Sequence, residues 1–177
     1  GPGRERLLRW RHLDVRDLGP AEEFVAGALG EPGQRHFYLQ ITAADETLWF
    51  PAEKQQIAAL GSQALTLMRA AGIDADEDAV AGIQRNLEIR APDVEQFRVG
   101  GIQVAVLESE LIAIVVSSPE EDESVRFLVA PEQLQAMATS ALETVAAGRP
   151  ICPRCQLPMD PDGHRCPATN GHHAAGV

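Results

Sequence analysis

The sequence predicts an α+β fold of two pseudo-symmetric ββββα repeats that form antiparallel sheets covered by two helices, followed by a small cysteine-containing knuckle. Three observations carry that expectation. Short signatures recur at a nearly constant offset, each half of the chain closes with an amphipathic helical pattern ending in Ala-Ala-Gly, and the last stretch sets cysteine and histidine among prolines.

In chain order, residues 1–11 read as a flexible basic arm, 12–72 as the first ββββα repeat, 73–85 as an acidic linker, 86–148 as the second repeat and 149–177 as knuckle and tail. Leu13-Asp14-Val15-Arg16 returns as Leu87-Glu88-Ile89-Arg90, and Glu23-Phe24-Val25-Ala26-Gly27 as Gln96-Phe97-Arg98-Val99-Gly100. An apolar strand follows each, Phe37–Ile41 and Leu111–Val115, and then a shorter one, Thr47–Phe50 and Ser124–Val129, reached through acidic turns at Asp45-Glu46 and Glu120–Glu123. Glu31-Pro32-Gly33 reads as a turn between strands, with Gly33 free to take positive φ.

The helices show their faces in the same way. Ile57, Leu60, Ala64, Leu67 and Met68 fall on one side of the first, and Leu134, Met137, Ala141, Leu142 and Val145 on one side of the second. Pro51 and Pro131 sit where first-turn prolines belong, and Gly72 and Gly148 where a left-handed C-cap is needed. Between the halves, Asp76–Ile83 reads as a short helix in the acidic linker. Its Asp74-Ala75-Asp76-Glu77-Asp78 run fails as a calcium loop, because Ala79 stands where glycine is required and Arg85 where a bidentate glutamate is required.

Charge and hydropathy narrow the function. The formal net charge of −11 is uneven, since Arg4, Arg6, Arg9, Arg11 and Arg16 make the first twenty residues basic on balance. An acidic body repels phosphate backbones, so nucleic acid is not an expected partner. No apolar run approaches the roughly 18 residues of a membrane span, and no signal-peptide pattern opens the chain. Membrane partners are therefore not expected, and cytoplasm is, a compartment that keeps thiols reduced.

The most specific chemistry lies near the C-terminus: Cys152-Pro153-Arg154-Cys155, eight residues, then His164-Arg165-Cys166. A Cys-x-x-Cys turn aims two thiolates at one metal, and His164 with Cys166 closes a tetrahedron of three sulfurs and one nitrogen, which fits a single zinc. Four protein ligands leave no open position, so the expected zinc is structural. His172 and His173 compete with His164 for the fourth place, although the Asp162-Gly163 turn delivers His164 directly. Outside this site, Arg16 and Arg90 are matched across the halves, and Arg35 follows a glycine-containing loop, so these three are the candidate residues for a charged ligand. With every cysteine on metal, no thiol nucleophile is left, and no nucleophile elbow, phosphate loop or dinucleotide fingerprint appears. The expected function is a non-enzymatic adaptor with a protein partner. The alternative is an enzyme or small-molecule sensor that uses the cleft between the two repeats.

The chain also resembles a family of uncharacterised bacterial proteins, DUF3090. The resemblance is carried by Phe24-Val25-Ala26-Gly27, Glu31-Pro32-Gly33-Gln34-Arg35 with Phe37 and Leu39-Gln40, Glu53-Lys54 with Gln56, Glu95–Gly100, Ala147-Gly148-Arg149-Pro150 running into Cys152-Pro153, and Asp160–His164 with Cys166-Pro167 and Asn170-Gly171. It covers nearly the whole chain from about His12, and departs at Gln156 and His172. The resemblance implies no assigned activity. Its relatives often lie beside genes for a histidine phosphatase and a phosphoinositide-kinase-like protein, which implies a phosphate-related pathway and, for the alternative function, a phosphorylated ligand.

Overall fold

The computed structural model describes residues 14–31 and 33–147. The basic arm, Gly148 and the knuckle lie outside them. Along the described chain run β1 (Asp14–Pro20), β2 (Glu23–Leu29), β3 (His36–Ala43), β4 (Glu46–Ala52), α1 (Lys54–Ala71), α2 (Glu77–Asn86), β5 (Gly101–Val106), β6 (Ile112–Ser117), β7 (Glu123–Val129) and α3 (Pro131–Ala147). The strands form two sheets, ordered β1-β7-β6-β5 and β2-β3-β4.

Alternation sets the inward face of each strand. In β3, Leu39 and Ile41 enter the core while Tyr38, Gln40 and Thr42 face the other way; in β4, Leu48 and Phe50 enter and Trp49 does not. A single apolar cluster joins these residues to Ile112, Ile114 and Val116 of β6, to Val125, Phe127 and Val129 of β7, and to the inner faces of α1 and α3. Phe24 of β2 meets Phe127 of β7 edge to face, ring centroids 5.0 Å apart, and so ties the two sheets together. The helices cross at Gly61, where an added Cβ would lie 3.0 Å from Leu142 and 3.1 Å from the Ala138 carbonyl.

Helices α1 and α3, the short helix α2 with Asp76 as its N-cap, and Pro131 at the head of α3 agree with the sequence reading. Gly72 takes the expected left-handed cap at φ 65. The Glu31–Gln34 turn is closed by Gln34 N–H donating to the Glu31 carbonyl at 2.9 Å, with Gly33 at φ +91.

Four expectations change. The sheets are not wholly antiparallel, because β1 runs parallel to β7, from Asp14 opposite Glu123 to Pro20 opposite Leu128. The second half has three ladder strands, not four. Leu87–Arg90 joins no ladder: the Glu88 carbonyl and the Arg90 N–H bond to the Gln40 side chain instead. The strand that pairs with β6 is Gly101–Val106, just beyond the Gln96–Gly100 signature. Finally, Pro51 lies in β4, not in a first helical turn. Its carbonyl points away from β3 and accepts from Val99 N–H at 2.8 Å, so the missing proline N–H falls on the sheet edge, where the ladder loses nothing.

Candidate functional site

The outer face of β2-β3-β4 is crossed by a strap, Leu87–Val99, whose seat is built from side chains. Gln40 is fully buried and uses its whole hydrogen-bonding capacity. Its Nε2 donates to Glu23 Oε1 (2.9 Å) and to the Glu88 carbonyl (2.8 Å), while its Oε1 accepts from Trp49 Nε1 (2.8 Å) and Arg90 N–H (2.8 Å). Ile89, between those two strap residues, lies on Gly27: a Cβ there would come within 2.7 Å of Ile89 Cγ1. Farther along, Tyr38 donates to Glu95 at 2.7 Å. That bond, followed by burial and by the Glu95 charge, raises the tyrosine pKa above its usual 10.0. Glu95 pairs with Trp49 as a parallel bridge, and Gln96 N–H donates to the Trp49 carbonyl at 2.8 Å, so the end of the strap covers the β4 edge.

Two grooves open where a helix start meets a strand start. At one, Gln56 of α1 accepts from the Glu53 N–H (2.8 Å) and donates to the Val99 carbonyl (2.9 Å). At the other, Gln133 of α3 accepts from the Ala130 N–H (2.8 Å) and donates to the Ala21 carbonyl (2.8 Å). Each glutamine caps its helix and ties it to the residue two places before a strand. The Gln133 groove is a cleft of about 430 Å³, bounded by Glu22, Glu23 and Phe24 and roofed by Ile83, Asn86 and Leu87 at the end of α2. The Gln56 groove is smaller, about 130 Å³, and runs between Ala59, Leu60 and Gln63 of α1 and Val99–Ile102.

The three candidate arginines do not converge on one pocket. Arg16 pairs with Glu46, and Arg90 with Glu23 at 3.1 Å. These carboxylates face Ala43 and Thr42 of β3, so the two pairs share one end of β2-β3-β4. Arg35 lies at the opposite end, where Leu29 faces His36, donates to the Thr144 carbonyl in the last turn of α3 at 2.9 Å and sits 5.4 Å from the Phe37 ring centroid. A cation at a helix C-terminus complements the negative end of its dipole. Sequence reasoning missed Gln40. Its signal was a lone amide in an otherwise apolar strand, which requires buried partners.

Cys152, Cys155, His164, Cys166 and the competing His172 and His173 lie outside the described residues. Among the described residues no cluster of three or more His, Cys, Asp or Glu side chains is placed to hold a metal. No described helix is long and apolar enough to cross a membrane. A family model described as "Protein of unknown function (DUF3090)" matches residues 17–166. No curated protein and no solved structure matches the chain.

Proposed function

The chain belongs to the DUF3090 family, and from that premise we propose that it is a non-enzymatic, cytoplasmic protein-interaction module, an adaptor whose duplicated body carries a knuckle closed by one structural zinc. The observation that carries the reading is the fate of the arginines. Arg16, Arg35 and Arg90, the residues a charged small ligand would require, are held by Glu46, by the Thr144 carbonyl and by Glu23. The larger cleft adds a second argument against a phosphorylated ligand, because the carboxylate Glu22 lines it and the other, Glu23, is already occupied by Arg90.

The zinc is assigned to Cys152, Cys155, His164 and Cys166, with His172 or His173 as substitutes for the imidazole. The support is donor chemistry and spacing. Zinc here would order the knuckle and present its loops; the chain leaves α3 beside the Gly30–Arg35 loop, where a partner could meet both.

Duplication belongs to the same reading. Asp17 is the parallel partner of Arg126 in β7, as Glu95 is of Trp49 in β4. In each half a parallel segment donated to the other half's last strand is followed by two antiparallel pairings and a helix capped by the Gln56 or Gln133 device.

The test has two arms, native mass spectrometry of complexes captured from native extract with zinc retained, and calorimetry against phosphorylated small molecules. A protein partner of defined stoichiometry is expected. Saturable binding of a phosphorylated compound that Arg16→Ala or Arg90→Ala abolishes would replace the adaptor reading with a sensor or enzyme.

A further inference from the structure

The two halves differ in how their grooves are covered. In the second half, the chain before the parallel segment is α2 and the strap: α2 packs on α3 with Val80 buried, roofs the Gln133 groove, and the strap then crosses the outer face of its sheet. The counterpart of that segment in the first half is β1, and the matching surfaces are more exposed at the groove and along β5. Ala59, three residues after Gln56, is exposed, whereas Ala136, three residues after Gln133, is fully buried. On the outer face of β1-β7-β6-β5, Gln103 and Ala105 of β5 are exposed, Val115, Arg126 and Leu128 are half-buried and Ala113 is buried. That face carries Ala105, Ala113 and Leu128 as one cross-strand row and Gln103, Val115 and Arg126 as the next. Beside it, Val15 of β1 is 45% exposed.

The edges of this sheet are unequal too. β1 is guarded by Arg16, Asp17 and a register shift between Asp17 and Gly19. β5, Gly101–Val106, has no charge, no proline and an unbroken register, the kind of edge that proteins keep covered.

We propose that the chain's own N-terminal arm, Arg4–Leu13, docks there, crossing the outer face of β1-β7-β6-β5 and lodging its far end in the groove between α1 and β5. This rests on the duplication, and it assigns the arm the place that α2 and the strap hold in the other half. Position agrees with it. Asp14 faces Glu123, Ser124 faces Ser117, and Ser117 faces Gly101, so the arm leaves β1 at the end of the sheet where the groove opens. Three interstrand spacings are about 14 Å, and ten extended residues reach about 33 Å. Chemistry agrees as well. Leu7, Leu8, Trp10 and Leu13 supply apolar cover, and Arg4, Arg6, Arg9 and Arg11 pass the exposed Glu120-Glu121-Asp122-Glu123 turn.

Trp10 reports on this directly. Subtracting the emission of Trp10→Phe from that of the full chain isolates Trp10 and leaves the buried Trp49 untouched. The expected Trp10 spectrum is blue-shifted from that of a synthetic peptide of residues 1–13, with acrylamide quenching severalfold weaker and independent of protein concentration. Ala105→Arg, at an exposed position, returns both readouts to the peptide values while circular dichroism holds, and so does Leu7→Asp with Leu8→Asp, which leaves the body unaltered. Peptide-like emission in the unmodified chain overturns the proposal, as does protection that survives both variants, or protection that grows with concentration and so reports a second copy. The Gln56 and Gln133 variants described below test the duplication separately, so failure of docking and failure of the duplication are told apart.

Discussion

Ile89 lies over Gly27 with no room for a methyl group between them: a Cβ on Gly27 would approach Ile89 Cγ1 to 2.7 Å. Isoleucine is stiff at χ1, so the strap must lift or the strand must bend. Gly27→Ala is expected to cost about 1–3 kcal/mol, read as a lower urea midpoint. Ile89→Ala should recover much of that loss in the double variant, because the two residues are in contact. Strict additivity of the two changes would show that the strap does not rest on this glycine.

Gln40→Leu removes the acceptor for Trp49 Nε1 and the Arg90 N–H and the donor to the Glu88 carbonyl. A buried polar group left unsatisfied costs about 1–3 kcal/mol; Trp49 Nε1 becomes one, and two part-buried backbone groups lose their partner as well, so this should be among the most damaging single changes on that face. Hydrogen exchange at the Arg90 amide checks the local part of the claim, since its protection should fall even where the body remains folded.

The Tyr38–Glu95 bond gives the strap an alkaline limit. The folded-state pKa is raised, so unfolded or detached chain loses the phenolic proton first. The stabilisation is complete below the ordinary tyrosine pKa of 10.0 and is lost as pH rises through the higher folded value. Tyr38→Phe should abolish the part of the pH dependence of stability that lies above pH 10.0, measured by denaturant titration.

Gln56→Ala and Gln133→Ala each delete a helix cap and a tether, to Val99 before β5 and to Ala21 before β2 respectively. Each is expected to cost about 1–2 kcal/mol, and the two losses should match to within measurement error if the halves are built alike. A large effect at one site and none at the other would count against the shared device.

Metal removal should act on the knuckle alone. Structural zinc in isolated fingers carries about 10–16 kcal/mol of folding free energy, but residues 14–147 already enclose a continuous apolar cluster. Chelation or Cys155→Ser is expected to increase proteolysis after Arg149 or Arg154 and to leave the body's secondary structure intact. Because the binding forms are thiolate and neutral imidazole, acidification should release the metal before the body melts. Elemental analysis well below one zinc per chain in protein purified under reducing conditions without chelator would remove the site.

What could be read from the sequence was local. β3, β4, β6 and β7 showed the runs of alternating or continuous apolar residues that a half-buried or buried strand needs, and α1 and α3 showed helical periodicity with caps. What escaped was non-local. The strap has no ladder of its own at Leu87–Arg90 because its backbone is satisfied by a side chain 48 to 50 residues earlier, and no window of sequence reports that. β5 alternates plainly over Ile102–Val106, but the Phe-x-x-Gly signature just before it places the expected strand several residues early. The sequence match of Arg16 with Arg90 suggests a shared ligand grip, whereas each is paired with its own carboxylate, Glu46 and Glu23. Their carboxylate partners come from elements far away in the chain and could not be named in advance.

The parallel pairing of β1 with β7 also sets an order of events during synthesis. Asp17 and Arg126, joined in the finished protein by a 3.1 Å ion pair, are 109 residues apart. At translation rates of roughly 5–20 residues per second, β1 is made about 5–20 s before its partner exists. β2, β3, β4 and α1 can pair among themselves in that interval, but β1 cannot. The charges of Arg16 and Asp17 and the register break before Gly19 are the features that make a strand which must wait a poor template for unintended pairing.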